Sequence, residues 1–407
     1  MTETARADSA PAAPAAMPLV RLKPGGHRRA RAGHPWLYSN EIDMTPALKA
    51  LPPGTAARFE DAHGEALGAG FFNPHSLIAG RLMARPGAAV DRASIAERLA
   101  AALNLRERLY DAPFYRLVHA EADGLPGLIV DRFGPVAAVQ FNAAGMERLE
   151  AEILGALGDV IAPAHVLVRS DGAAREAEGL AGETHWALGG PLETVEVVEG
   201  GVRFLADPEG GQKTGWFYDH RHNRALVAGL SGGARMLDLY CYLGGFGLQA
   251  AASGAESVTL VDRSQPALDL AARAAETNGL ADRCVFARNN AFDEAGRLAN
   301  TGERFDIVVA DPPAFVKSRK DKGAGARGYR KLTRLAATLV RPGGFVFLAS
   351  CSFHLDAEAF DDQIRRGLVD ARRTGRILYA GGAGPDHPVH PHLPETSYLK
   401  HRLLQLD

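Results

Sequence analysis

From about residue 232 the chain repeats one pattern, a short apolar run followed by a stretch with helical spacing. The runs are Arg235-Met-Leu-Asp-Leu, Ser257-Val-Thr-Leu-Val, Cys284-Val-Phe-Ala, Phe305-Asp-Ile-Val-Val-Ala and Gly344-Phe-Val-Phe-Leu-Ala, and the helical stretches are 246–253, 265–278 and 328–340. Alternation of this kind predicts an α/β, doubly wound, Rossmann-like sheet. Ligands of such sheets bind outside the carboxyl ends of the strands, so the residues just after each run are the ones that carry function.

The first run leads into Asp238-Leu-Tyr-Cys-Tyr-Leu-Gly-Gly-Phe-Gly247, a glycine-rich turn opening a helix, where missing side chains let a ligand approach the backbone. The second leads to Asp262, whose carboxylate can take both hydroxyls of a ribose. The glycines are Gly-Gly-x-Gly, not the G-x-G-x-x-G that seats a pyrophosphate on a helix N-terminus. A nucleoside ligand without a diphosphate therefore fits better than a dinucleotide, and S-adenosylmethionine is such a ligand. The fourth run ends in Asp311-Pro312-Pro313-Ala314-Phe315 and the fifth in Ser350-Cys351-Ser352. Two prolines cannot continue a strand ladder and stiffen the turn that presents Asp311. Cys351 is then expected to face the same crevice. A lone cysteine is ordinarily a small buried side chain, but at a strand end inside a ligand crevice it is a candidate nucleophile.

The 407 residues exceed the usual span of one compact domain. Residues 1–17 are Ala/Pro-rich without an apolar stretch and are expected to form a disordered tail. Residues 18–91 carry short apolar runs punctuated by Gly and Pro, the pattern of a small β-rich domain. Its first segment bears Arg21, Lys23, Arg28, Arg29 and Arg31 with no acidic residue up to Asn40, beside Pro35-Trp36-Leu37-Tyr38. Residues 92–198 read as a small α+β domain opening with a helix over 94–110, where Ser94 and Glu97 have the spacing of a capping box. Residues 199–407 form the doubly wound domain. A second cation run lies within 311–341, where nine Lys and Arg, among them Lys317, Arg319, Lys320 and Arg327, face two Asp. The net charge of -2 excludes a chain that is basic throughout but allows these two local faces, the expected footprint of a phosphate backbone. No run of about eighteen apolar residues is present, which excludes a bilayer-spanning helix. Cys241, Cys284 and Cys351 cannot all pair and are too widely spaced for a zinc knuckle, which points to a reducing compartment and the cytoplasm.

Taken together, these motifs resemble the 23S ribosomal RNA large-subunit cytosine-C5 methyltransferase family. The resemblance runs from about Val20 to the C-terminus. It rests on Leu22-Lys-Pro-Gly with His34-Pro-Trp-Leu-Tyr, Glu121-Ala-Asp-Gly-Leu-Pro-Gly-Leu-Ile-Val-Asp131, Gly211-Gln-Lys-Thr-Gly215 with Asp219 and Arg221, the Asp238 turn, Asp311-Pro-Pro, Ser350-Cys-Ser, and Asp386-His-Pro with Tyr398-Leu-Lys400. The family implies an N-terminal PUA RNA-binding domain, a small central domain and a class I methyltransferase domain that uses S-adenosylmethionine on ribosomal RNA. Its implied cofactor residues here are Asp238, Tyr242, Gly244, Gly245, Phe246, Asp262, Asn290 and Asp311. Where the family implies an adenine-recognising aspartate after the third strand, this chain has Asn289-Asn290. The expected RNA contacts are Lys23, Arg28, Arg29, Arg31, Lys213, Lys317, Arg319, Lys320 and Arg327.

Cys351 and Asp311 are the expected catalytic pair. Pyrimidine C5 is a poor nucleophile toward a methyl sulfonium until a thiolate adds at C6, and an aspartate at N3 and N4 favours cytosine over uracil. Two other readings are a methyltransferase acting on ring or exocyclic nitrogens, which needs no thiol, and a non-catalytic RNA-binding protein of ribosome assembly. Ala314 directly after Pro-Pro, with Phe315 one place later, argues against the amino-methylating enzymes. His387, His390 and His392 are interrupted by prolines without a completing ligand, so no metal is expected. The oligomeric state stays open, a homodimer included.

Overall fold

The computed structural model describes residues 17–407. Apart from Met17, the tail expected over residues 1–17 lies outside the described residues. At the N-terminal end five short strands form one sheet in the order Leu19–Arg21, Thr55–Glu60, Ala66–Phe72, Ile78–Ala84, Trp36–Tyr38. The first pair is parallel and the others antiparallel. Val20, Leu22, Leu37, Ile42, Phe59 and Phe72 make its core. Gly70 is required where strands close on one another, since a Cβ there would stand 1.9 Å from Arg81 O.

Folding corrects the reading of the first cation segment as unopposed. Acids from beyond Asn40 meet it: Arg21 pairs with Glu60, Arg29 with Glu41 at 2.8 Å and Arg31 with Asp61 at 2.8 Å. Lys23 donates to Asn40 O at 3.0 Å. Arg28 is exposed and makes no ion pair among the described residues.

The helix Arg92–Leu109 begins a turn earlier than the Ser94–Glu97 spacing suggests. Asp91 is its N-cap, accepting from Ser94 N at 2.9 Å, while Ser94 Oγ accepts from Asp91 N. Ser94 is thus the reciprocal partner of the cap. This helix and Glu150–Ile161 cover a second sheet, ordered His185–Leu188, His165–Arg169, Val136–Phe141, Leu128–Phe133, Phe114–His119. A fully buried Asp131 pairs with Arg116 at 2.8 Å within it. Val195–Glu199 and Val202–Ala206 form a separate antiparallel ribbon. The boundary expected between residues 198 and 199 cuts through that ribbon.

The largest sheet has seven strands, ordered Cys284–Arg288, Ser257–Asp262, Arg235–Leu239, Phe305–Ala310, Val340–Ser350, Lys400–Leu406, Gly375–Gly381. The first five are parallel, and the last two are antiparallel to their neighbours. Its inner parallel strands Arg235–Leu239 and Phe305–Ala310 and the second half of Val340–Ser350 are buried on both faces, which is why they read as largely apolar runs, while Cys284–Arg288 lies part-exposed at the edge. The order in which successive parallel strands are added reverses between Arg235–Leu239 and Phe305–Ala310. This is the topological switch point, where a crevice must open.

Candidate active site

At that switch point lies a cleft of about 830 Å³, within the usual range for small-molecule sites. Its walls come from five strand ends and from the segment Gln212–Arg224 that precedes the sheet. Tyr242, Gly245, Phe246, Asp262, Asn290, Asp311 and Cys351 all line it.

The glycine-rich turn is shaped by its backbone. Tyr240 and Tyr242 have φ of 65° and 49°, left-handed values that side chains rarely adopt, and Gly244 has 75°. Two carboxylates hold this turn. Asp262 Oδ2 accepts from Tyr242 N and Oδ1 from Ser264 N, each at 2.9 Å. Each oxygen keeps a lone pair, so the carboxylate is fixed yet still able to accept from two ribose hydroxyls. Asp238 is different. It is 1% exposed, does not line the cleft, and spends Oδ2 on Gly247 N at 2.9 Å. Burial pushes its carboxyl up to about 8. Asp238 therefore supports the turn from beneath. Gly244 likewise faces Leu260 and Leu248 rather than the cleft. Asn290 caps the helix Ala291–Asn300, its Oδ1 accepting from Phe292 N at 2.9 Å, and the same oxygen retains a second lone pair toward the cleft.

The opposite wall joins Asp311 and Cys351. Ser352 Oγ accepts from Val316 N at 3.1 Å and meets Tyr329 Oη at 2.9 Å, which fastens the end of the fifth parallel strand to the loop after the fourth. Ser350 Oγ accepts from Ser352 N at 3.3 Å, and Lys400 Nζ donates to Ser352 O at 2.8 Å. The two serines thus hold the backbone, and Cys351 between them turns into the cleft. Burial and then the charge of Asp311 push the Cys351 thiol up, with Lys213 opposing.

Lys213 lies on the cleft wall beside a buried carboxylate. Its Nζ is 3.1 Å from Asp219 Oδ2 and 4.4 Å from the Phe217 ring centre, on the cleft wall. Burial raises the Asp219 carboxyl, but the charge of Lys213 and the hydrogen bond from the Tyr398 hydroxyl hold it well below the ordinary range. His220, absent from the residues singled out by sequence, places Nε2 3.2 Å from Asp311 Oδ2. Its only local signal is position, directly after the Asp219 of a recognised motif. Lys317, Arg319, Lys320 and Arg327 are exposed, the first three between the cleft loop and the helix Lys322–Leu339 and the fourth on that helix. His387 Nδ1 is committed to Asp386 Oδ1 at 2.9 Å, and no group of three potential metal ligands occurs among the described residues. Nor is any helix among them long and apolar enough to cross a membrane.

Comparison with known proteins agrees with this architecture. Residues 175–359 match the S-adenosylmethionine-dependent methyltransferase family model and residues 20–85 a PUA-like domain. A crystal structure of a methyltransferase complexed with SAH superposes with a TM-score of 0.80 at 18% identity, covering 96% of this chain and all of the other. A SAM-dependent methyltransferase from Streptococcus mutans gives 0.79 at 19%. These two likenesses speak for the fold. Two curated relatives are each named ribosomal RNA large subunit methyltransferase I. The one from Alteromonas mediterranea is 34% identical and that from Photobacterium profundum 35%, each match covering 94% of this chain and 97% of the relative. With a methyl-donor cleft at the switch point and this likeness along nearly its whole length, the chain belongs to the S-adenosylmethionine-dependent ribosomal RNA large subunit methyltransferase I family.

Proposed function

We propose that the protein methylates C5 of a cytosine in large-subunit ribosomal RNA through a covalent bond between Cys351 and C6. One observation carries this reading: Cys351 and Asp311 line a single cleft and their loops are tied together by the Ser352–Val316 hydrogen bond. S-adenosylmethionine, when bound, supplies an electrophilic methyl group. Asp262 and the backbone of the Tyr242–Phe246 turn would hold it, and the lone pairs left on the Asp262 carboxylate suit the ribose of a nucleoside.

Cys351 Sγ adds to C6, which pushes electron density onto C5. Asp311 accepts from the cytosine N4 amine and so holds the base edge in the cleft. Uracil would set its O4 acceptor against the same carboxylate, so the site favours cytosine. Once the C5–methyl bond has formed, C5 gives its proton to water, the C5=C6 bond re-forms and the S–C6 electron pair returns to sulfur, releasing the Cys351 thiolate. The target base enters the cleft only when unpaired or flipped out, because C5 and C6 are attacked from the ring face. Lys317, Arg319, Lys320 and Arg327, on the loop and helix beyond Phe315, would hold flanking phosphates, and the N-terminal sheet a more distant RNA segment.

The thiol is pushed above its ordinary value of 9.0, so less of it is thiolate at neutral pH. Single-turnover methylation should therefore climb with pH throughout the range from 7 to 9. A plateau below pH 8 would mean that another group limits the step. The reading as a whole is tested by mapping methylcytosine in large-subunit ribosomal RNA from cells with the protein, without it, and with Cys351→Ala. One cytosine should lose its mark in the last two. A mark on a nitrogen instead, independent of Cys351, would replace this mechanism.

A further inference from the structure

His220 is 3% exposed and its ring is wedged against Phe246 and Phe347, with centroids 5.5 and 6.3 Å away. It has no freedom to swing. Asn223, also buried and one helical turn further on, places Nδ2 2.9 Å from His220 Nδ1. The same Nδ2 lies 3.5 Å from Gly382 O, so this placement sets the amide N–H groups between two acceptors. An amide nitrogen only donates, so His220 Nδ1 must accept, and in the neutral ring the proton sits on Nε2. That nitrogen opens on the cleft and faces Asp311 Oδ2 at 3.2 Å. Among the described residues no other side chain approaches the Asp311 carboxylate within 4.0 Å as an ion-pair partner.

We propose that His220 is a positioning residue for the methyl-transfer reaction, its tautomer fixed by Asn223 so that Nε2–H engages one oxygen of Asp311 and leaves the other to accept from the target base. This rests on the reading of Asp311 as the group that holds the base edge. The chain Asn223, His220, Asp311 reproduces the logic by which a buried partner selects a histidine tautomer and the histidine in turn orients a reacting group. It also explains why a histidine stands here in an otherwise aromatic wall. A phenylalanine would pack as well but would leave Asp311 free to rotate away from the base.

The test uses the full-length protein, tritiated S-adenosylmethionine and large-subunit ribosomal RNA from cells lacking the protein. His220→Leu should lower kcat by about 10–100-fold, the scale of one charged hydrogen bond, with little change in KM for RNA. Its affinity for S-adenosylmethionine, measured by calorimetry, should be kept. His220→Gln, whose amide can donate from nearly the same place, should recover most of kcat. Wild-type kcat in His220→Leu, with Asp311→Asn inactive, would overturn the positioning role while leaving Asp311 in place. Equal losses of kcat and of cofactor affinity in both His220 variants would overturn it too, by showing a structural role. If Asp311→Asn itself methylates normally, the reading on which this inference rests is the one that fails.

Discussion

The two cation-rich segments of this protein differ in what faces them. In the N-terminal sheet Arg21, Arg29 and Arg31 each meet a carboxylate supplied by a neighbouring strand or loop. Beside the cleft, Lys317, Arg319, Lys320 and Arg327 are exposed and form no ion pair among the described residues, although Lys322 reaches Asp356 and Arg330 reaches Asp370 further along. A cation held by a carboxylate must give up that partner to bind a phosphate, whereas a solvated one exchanges only counterions. Equal counts of arginine and lysine therefore do not mean equal affinity for RNA. The cleft-side segment should dominate.

The largest effect is expected when Lys317, Arg319, Lys320 and Arg327 are all replaced by Ala. At ~0.7 per phosphate on single-stranded RNA, the slope of log affinity against log salt should flatten by about 3. A filter-binding series across salt concentrations measures it. Replacing Arg28, Arg29 and Arg31 with Ala should flatten the slope by about 1, since only Arg28 lacks a carboxylate partner. Equal changes in the two variants would break the comparison. The smallest effect sharpens it from the other side. Glu41→Gln with Asp61→Asn frees Arg29 and Arg31 yet keeps the carbonyl oxygens that accept from Tyr38 N, His63 N and Glu65 N. RNA should then bind slightly tighter with a steeper salt slope. An unchanged slope would mean that those arginines do not reach RNA even when released.

The same contrast marks what the sequence discloses. Glu41 and Asp61 lie 12 and 30 residues from the arginines they meet, so charge counted along the segment overstates what is free. The inner parallel strands were legible because both faces are buried and the runs are largely apolar. Lys400–Leu406 was not, since it opens with Lys400, His401 and Arg402, all buried, the first satisfied by carbonyls and the last by Asp361 at 2.7 Å. Gly375–Gly381 lies exposed at the sheet edge and lacks a burial pattern. Within the site, the strand-end rule locates Asp262, Asp311 and Cys351. It does not show that Asp238 is buried beneath the turn with one oxygen given to Gly247 N. His220 and Asn223 escaped it altogether, because they stand on a segment before the sheet and reach the cleft only through tertiary packing.

The central claim is the bond from Cys351 to C6, and mechanism-based trapping tests it most directly. RNA carrying 5-fluorocytosine at the mapped target, incubated with the protein and S-adenosylmethionine, should give an adduct that survives denaturing electrophoresis. Fluorine at C5 cannot leave as a proton, so the thioether cannot be eliminated. Peptide mass spectrometry should place the adduct on Cys351, and Cys351→Ala should give neither adduct nor turnover while still binding S-adenosylmethionine. Full methylation by Cys351→Ala, with no adduct in the wild type, would contradict a covalent mechanism at this residue.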